Sequence, residues 1–141
     1  ADGRLRIAVL GHLYAERDPF LGQGVIARLE RLGAEVVVGP PVCPTRPNPL
    51  EEGMYYEPSV RVARSLAAQL EGGVDGVVLL TYFACGPDSY TADTLLFRLK
   101  KRHVGVPVLR LILDEQTSAE GLDTRLGTFV DVARHQRERR C

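Results

Sequence analysis

The fold is decided by residues 74–89, which read VDGVVLLTYFACGPDS. The run from Val74 to Phe83 is the most apolar in the chain, so it predicts a buried strand. It stops at a Cys-Gly-Pro turn, and Asp88 or Ser89 is then expected to cap a helix. This order places the thiol of Cys85 at the carboxyl end of a strand and beside a helix start, where ligands gather in open α/β sheets.

The rest of the chain repeats this alternation of strand and helix. Short apolar runs predict strands at 4–10, 34–38, 74–83 and 106–113. Apolar residues at helical spacing predict helices that begin at Asp18, Pro58, Ser89 and Thr117. Strands that are apolar throughout indicate a parallel sheet covered on both faces. We therefore expect one α/β domain over residues 1–141, a Rossmann-like or flavodoxin-like three-layer fold with four parallel strands in the order 2-1-3-4.

Charge, hydropathy and cysteine content narrow the class of protein. The formal net charge is zero, which gives no general attraction to nucleic acid. No apolar run is long enough to cross a membrane, and residues 1–4 do not resemble a signal peptide, so we expect a cytoplasmic protein. The three cysteines are far apart in the chain, which excludes both a disulfide framework and a self-sufficient zinc or iron–sulfur motif.

The four predicted strand-to-helix loops open on the same edge of the sheet, and polar residues are enriched in them. Part of this enrichment reflects helix capping, since Thr117 and Glu120 have the spacing of a capping box. The second loop, 39–57, is long and rich in proline, which is typical of a functional segment. The candidate ligand-binding residues of the edge are Gly11, His12, Tyr14, Gly86, Asp88, Ser89, Asp114, Glu115, Thr117 and Arg125, with Cys43 and Cys85 as candidate metal ligands.

Three roles remain open for Cys85 on the residues alone: a nucleophile, a metal or cluster ligand, or an inert buried thiol. A helix N-terminus lowers the pKa of a neighbouring thiol, which favours function, whereas free cysteines are often simply buried. A phosphatase-type Cys-x5-Arg loop is excluded because the sixth residue after Cys85 is Thr91. No Cys-x-x-Cys redox pair is present either.

A second motif, residues 22–27 (GQGVIA), fits the G-x-G-x-x-A pattern of dinucleotide-binding proteins. That pattern should follow the first strand directly and open a helix. Eleven residues separate Leu10 from Gly22, and the helix is expected to have begun at Asp18. We therefore reject a dinucleotide site.

Several segments resemble one protein family. Residues 81–89, TYFACGPDS, resemble the TPFGCGPDS segment of proteins related to the 2-hydroxyacyl-CoA dehydratase component and its activase, the CoA-substrate-specific enzyme activase-related proteins. Residues 11–14 with Asp18 and Pro19 resemble their GHPY…DP, and residues 124–131 resemble TRLEAFxD. Residues 114–117, DEQT, resemble DEHT, with Gln116 in place of the histidine. Ala84 likewise replaces a glycine of the family segment.

The resemblance implies an α/β domain of an oxygen-sensitive iron–sulfur redox system, in which Cys85, together with Cys43, binds a 4Fe–4S cluster. Because such a cluster takes about four ligands, it would be shared with a partner chain or with the dimer mate of a homodimer. The expected partner is another domain or subunit of an acyl-CoA dehydratase-like redox system, and neither nucleic acid nor a membrane is expected. Two alternatives stay open: a small-molecule or acyl-CoA binding module without metal, and a structural or interaction domain of a larger assembly.

Overall fold

The chain alternates strands and helices in a computed structural model that describes residues 3–11, 24–38, 49–55, 57–82, 86–102, 105–113 and 118–140. The elements in chain order are β1 (Arg6–Leu10), α1 (Val25–Arg31), β2 (Glu35–Val38), a 3-10 turn (Pro49–Glu51), α2 (Glu57–Glu71), β3 (Gly76–Tyr82), α3 (Gly86–Lys101), β4 (Val108–Leu113) and α4 (Ala119–Arg140). The predicted strands are thus confirmed, each slightly shorter than its apolar run.

The strands form one parallel sheet in the order β2-β1-β3-β4. β1 lies between β2 and β3, with Ile7 paired to Val36 on one side and to Gly76 on the other. β4 pairs with β3 from Val108 to Leu113. This confirms the predicted three-layer α/β fold and its strand order.

Successive strand side chains point to opposite faces of the sheet and build two hydrophobic layers. On one face β1, β3 and β4 pack against α1 and α4, whose buried apolar residues are spaced as the sequence predicts. On the other face β1 and β3 pack against α2 and α3. The fully buried side chains at the centre of the two layers include Ile7, Val9, Leu29, Leu111 and Leu126 on the first face and Leu10, Leu66, Val77 and Leu95 on the second.

The first described helix does not have the predicted start. α1 begins at Val25, and Gly24 before it has a φ of 69°, in the left-handed region. A helix that runs unbroken from Asp18 to Gly33 is therefore wrong, although Asp18 itself lies outside the described residues. Leu32, predicted on the buried face of this helix, is exposed because it follows the last helical residue.

The start of α4 differs from the prediction by one residue. The amide N–H of Gly121 donates to Ser118 Oγ at 3.0 Å, and the N–H of Leu122 donates to the Ser118 carbonyl oxygen at 3.0 Å. Ser118 is thus the capping residue, and the predicted capping box of Thr117 and Glu120 is wrong. α4 extends to Arg140, and none of the helices in the described ranges is both long and apolar enough to cross a bilayer.

The amino edge of the sheet is held by polar contacts around Asp75. The N–H of Arg6 donates to Asp75 Oδ2 at 2.8 Å, and the N–H of Asp75 donates to the Arg6 carbonyl oxygen at 2.7 Å. Arg137 of α4 lies 3.6 Å from the same carboxylate and donates to the carbonyl oxygens of Gly3 and Arg4 at 2.7 and 2.8 Å. This end of the sheet is therefore fixed by hydrogen bonds between its own elements.

Candidate functional site

The candidate site lies at the carboxyl edge of the sheet between β1 and β3. The chain goes from β1 to β2 on one side of β1, and then crosses to β3 on the other side. In open parallel sheets the connections on either side of such a switch point diverge, and ligands bind in the crevice between them. The two segments that border this point are Gly11, which follows β1, and the connection from β3 to α3.

Gly11 is favoured by the close packing of β1 against β3. A Cβ atom at position 11 would lie 3.0 Å from Leu80 Cβ and 3.0 Å from the Leu80 carbonyl oxygen. Its φ is not in the left-handed region, so steric space rather than backbone conformation selects glycine here. Gly11, a predicted ligand-binding residue, thus has a structural role that is sufficient to explain it.

A cavity of about 20 Å³ lies beneath this edge, between β1, β3 and the first turns of α2 and α3. A space of this size holds about one water molecule, not a substrate. Its lining residues are Leu10, Gly11, Ser59, Val62, Leu79, Leu80, Thr81, Thr91, Ala92 and Leu95.

Three buried hydroxyl groups, those of Ser59, Thr81 and Thr91, supply the polar part of the lining. Thr91 Oγ1 donates to the carbonyl oxygen of Pro87 at 2.7 Å, and Ser59 Oγ lies 2.5 Å from Thr91 Oγ1. Because the one hydroxyl proton of Thr91 is already used, Ser59 donates to Thr91. The pair joins the beginning of α2 to the beginning of α3.

The helix α3 begins at Gly86, immediately after Cys85 in the sequence. The predicted cap by Asp88 or Ser89 is wrong, since both residues lie in the first turn of the helix. Pro87 suits this first turn because it has no N–H to leave unpaired. The connection from Tyr82 to Gly86 is consequently shorter than the sequence pattern predicts.

The end of the proline-rich segment is bound to the layer formed by α2 and α3. Glu51, in the 3-10 turn, accepts two hydrogen bonds from Arg64 of α2 at 2.6 and 2.9 Å. Arg98 of α3 donates to the carbonyl oxygens of Leu50 and Glu52, both at 2.7 Å. The segment predicted as a loop thus contains a short helical turn, and residues 50–52 are hydrogen-bonded to the two helices whose beginnings border the site.

The structure describes only some of the predicted site residues. Gly11 lies in the cavity wall, and Gly86 and Ser89 lie in the first turn of α3. Arg125 is exposed on α4, while of Asp88 only the backbone is described. The predicted residues outside the described ranges are His12, Tyr14, Cys43, Cys85, Asp114, Glu115 and Thr117.

The described residues do not by themselves form a metal or cluster site. Within the described ranges there is no group of three or more His, Cys, Asp or Glu side chains suited to a metal ion. The described side chains of the cavity are aliphatic or carry hydroxyl groups, whereas iron–sulfur clusters are held by thiolates. A cluster would need thiolates from Cys85 and Cys43 or from a second chain.

The hydroxyl pair of Ser59 and Thr91 is the part of the site that sequence reasoning missed. Thr91 lies four residues after Pro87 and directly before the buried Ala92, so its polar side chain interrupts an inward-facing surface. Thr81 similarly interrupts an apolar strand, and it donates to the Leu111 carbonyl oxygen at 3.4 Å. The sequence signal that could have identified these residues is a hydroxyl side chain at a position where the pattern is otherwise apolar.

Comparisons with known proteins leave the family open. No protein-family model matches this chain, and no curated protein matches it. The resemblance to activase-related proteins, which rests on residues 81–89 and three shorter segments, stays a hypothesis.

Proposed function

We propose that this chain is an accessory domain of an iron–sulfur redox system, with Cys85 as a cluster ligand at the carboxyl edge of the sheet. The supporting observation is that α3 begins directly after Cys85 in the sequence. Cys85 also follows β3, one of the two strands that border the switch point. The first turn of a helix at this position stabilises negative charge, which suits a thiolate. The proposal rests on this placement together with the family resemblance.

The chain's own contribution to such a site is to fix the two elements that precede and follow Cys85 in the sequence, β3 and α3. β3 is a central strand, and α3 is bound to α2 through Ser59 and Thr91 and to the 3-10 turn through Arg98. Two cysteines leave about half of the ligands of a 4Fe–4S cluster to be supplied by a partner subunit or a second copy. We propose an acyl-CoA dehydratase-like redox system as the partner and the cytoplasm as its compartment, since this cysteine pattern suits a reducing environment.

Anaerobic reconstitution with ferrous iron and sulfide tests this proposal. We expect the parent protein to retain iron and acid-labile sulfide after desalting, and Cys85→Ala to lose most of both. Cys141→Ala is the matched control, because it also removes one thiol but lies at the far end of the chain. Equal iron in the parent and in Cys85→Ala would exclude the ligand role.

A second candidate is a binding module for acyl-CoA or another small molecule that uses no metal. It is favoured by the switch point between β1 and β3, because ligands of open parallel sheets bind in the crevice at such a point. A ligand present at about 100 times its Kd stabilises the folded protein by about 2.7 kcal/mol. Thermal unfolding of the iron-free protein with and without acyl-CoAs, with free CoA for comparison, should therefore show a rise in Tm, and no shift at saturation would exclude it.

A further inference from the structure

β4 is an edge strand with an apolar sequence. Among the described residues it pairs with β3 on one side only, and its sequence is VLRLIL. Edge strands are usually protected from pairing by charged side chains, proline or a bulge. β4 has no proline, its one charged residue, Arg110, is bound by Asp93, and Ile112 is 42% exposed.

The neighbouring surface of α3 continues this apolar character. Arg110 Nη1 binds Asp93 Oδ1, which places Asp93 of α3 beside the middle of β4. Tyr90 and Phe97 lie three residues before and four residues after Asp93, on the same side of the helix, and are 65% and 66% exposed. Helix and strand run in opposite directions, so along the strand axis Tyr90 lies level with the Ile112 end of β4 and Phe97 lies level with its beginning.

These residues form what we call the β4 patch: Tyr90, Asp93, Phe97, Arg110 and Ile112. Exposed aromatic side chains around an arginine are the composition that protein interfaces favour at their centre. The Nε of Arg110 is buried and has no hydrogen-bond acceptor within the described part of the chain. The carboxylate of Asp93 is 67% exposed and is therefore accessible to a second molecule.

We propose that the β4 patch binds a second copy of this chain, with the two β4 strands antiparallel about a two-fold axis and the sheet continuous across the interface. The patch carries one positive and one negative group, so two copies related by a two-fold axis bring each Arg110 near the other's Asp93. The chain has a formal net charge of zero, so no net repulsion opposes self-association.

The register of the two strands follows from the same charges. Like charges directly opposite each other destabilise an antiparallel pair. A register that places Arg110 of one copy opposite Ile112 of the other avoids this, and it covers the exposed isoleucine with the aliphatic part of the arginine. This inference is independent of any cluster at the carboxyl edge.

Sedimentation velocity over a wide range of protein concentration tests the proposal. We expect a monomer–dimer equilibrium in the parent, and Ile112→Lys and Phe97→Glu should each raise the dissociation constant by about tenfold or more. Val132→Lys is the matched control, because Val132 is 41% exposed on α4, and it should leave the equilibrium unchanged. A parent that is monomeric throughout, or a control that weakens the dimer equally, would overturn the proposal.

A mixing experiment separates a pair between copies from a pair within one copy. Arg110→Glu and Asp93→Arg should each be mainly monomeric, since each places like charges together. Mixed, they should form a heterodimer, because the introduced glutamate of one chain meets the introduced arginine of the other. No association on mixing would contradict the proposed contact.

Hydrogen exchange of the parent protein gives a measurement that does not depend on variants. The amides of Val108–Leu113 should exchange faster as the protein is diluted and the dimer dissociates, while those of Arg6–Leu10 should not change. Exchange of β4 that is independent of concentration across the dimer transition would overturn the strand pairing.

Discussion

Ser59 Oγ lies 2.5 Å from Thr91 Oγ1, and this contact joins α2 to α3 beneath the carboxyl edge of the sheet. Both side chains are buried, and the Thr91 hydroxyl also donates to the Pro87 carbonyl oxygen. The beginning of α3, directly after Cys85, is thus held by two hydrogen bonds of one threonine.

Thr91→Val should lower the free energy of unfolding by about 1–3 kcal/mol, because it leaves the buried Ser59 hydroxyl without its partner Thr91 Oγ1. Urea unfolding measures the change. Thr91→Ser is the control and should be destabilised less, since it keeps the hydroxyl. In the double variant Ser59→Ala/Thr91→Val, the loss of unfolding free energy should be smaller than the sum of the losses in the two single variants. A loss equal to that sum would count against the contact.

Gly11→Ala should also destabilise the protein, by about 1–3 kcal/mol, because the added methyl group meets the backbone of β3 at Leu80. Chemical denaturation detects the loss. Gly105→Ala is the control, since a Cβ atom at that position meets no atom within 4 Å, and it should have a much smaller effect. If the two variants were equally stable, the close approach of β1 and β3 would not be the reason for glycine at position 11.

Asp75→Ala should remove the acceptor for the Arg6 N–H and the carboxylate beside Arg137. We expect a loss of about 1–3 kcal/mol in the free energy of unfolding, since Asp75 is largely buried. Asp131→Ala provides the comparison, because its ion pair with Arg134 is exposed and should contribute less than about 1 kcal/mol. A loss in Asp131→Ala as large as in Asp75→Ala would contradict this account of the amino edge.

The fold could be predicted because its signals are local. The β-branched runs that become β1 and β3, and the spacing of Leu122, Leu126 and Phe129, each report burial within a few residues of sequence. The helix starts were less predictable, because several capping residues stand side by side. Ser118 caps α4, whereas Thr117 was the predicted cap, and α3 starts at Gly86, before Asp88 and Ser89.

The site was less predictable than the fold because its contacts join distant parts of the chain. Ser59 and Thr91 are 32 residues apart, and no periodic pattern links them. Gly11 could be interpreted from the sequence as a ligand-binding residue, yet its packing against Leu80 depends on the pairing of β1 with β3. The Arg110–Asp93 pair likewise depends on α3 lying over the edge strand.

Electron paramagnetic resonance of the reconstituted protein, reduced with dithionite, tests the central claim most directly. Cys85 as a cluster ligand predicts the signal of a reduced 4Fe–4S cluster in the parent and in Cys141→Ala, and its loss in Cys85→Ala. The same signal in the parent and in Cys85→Ala would contradict the claim.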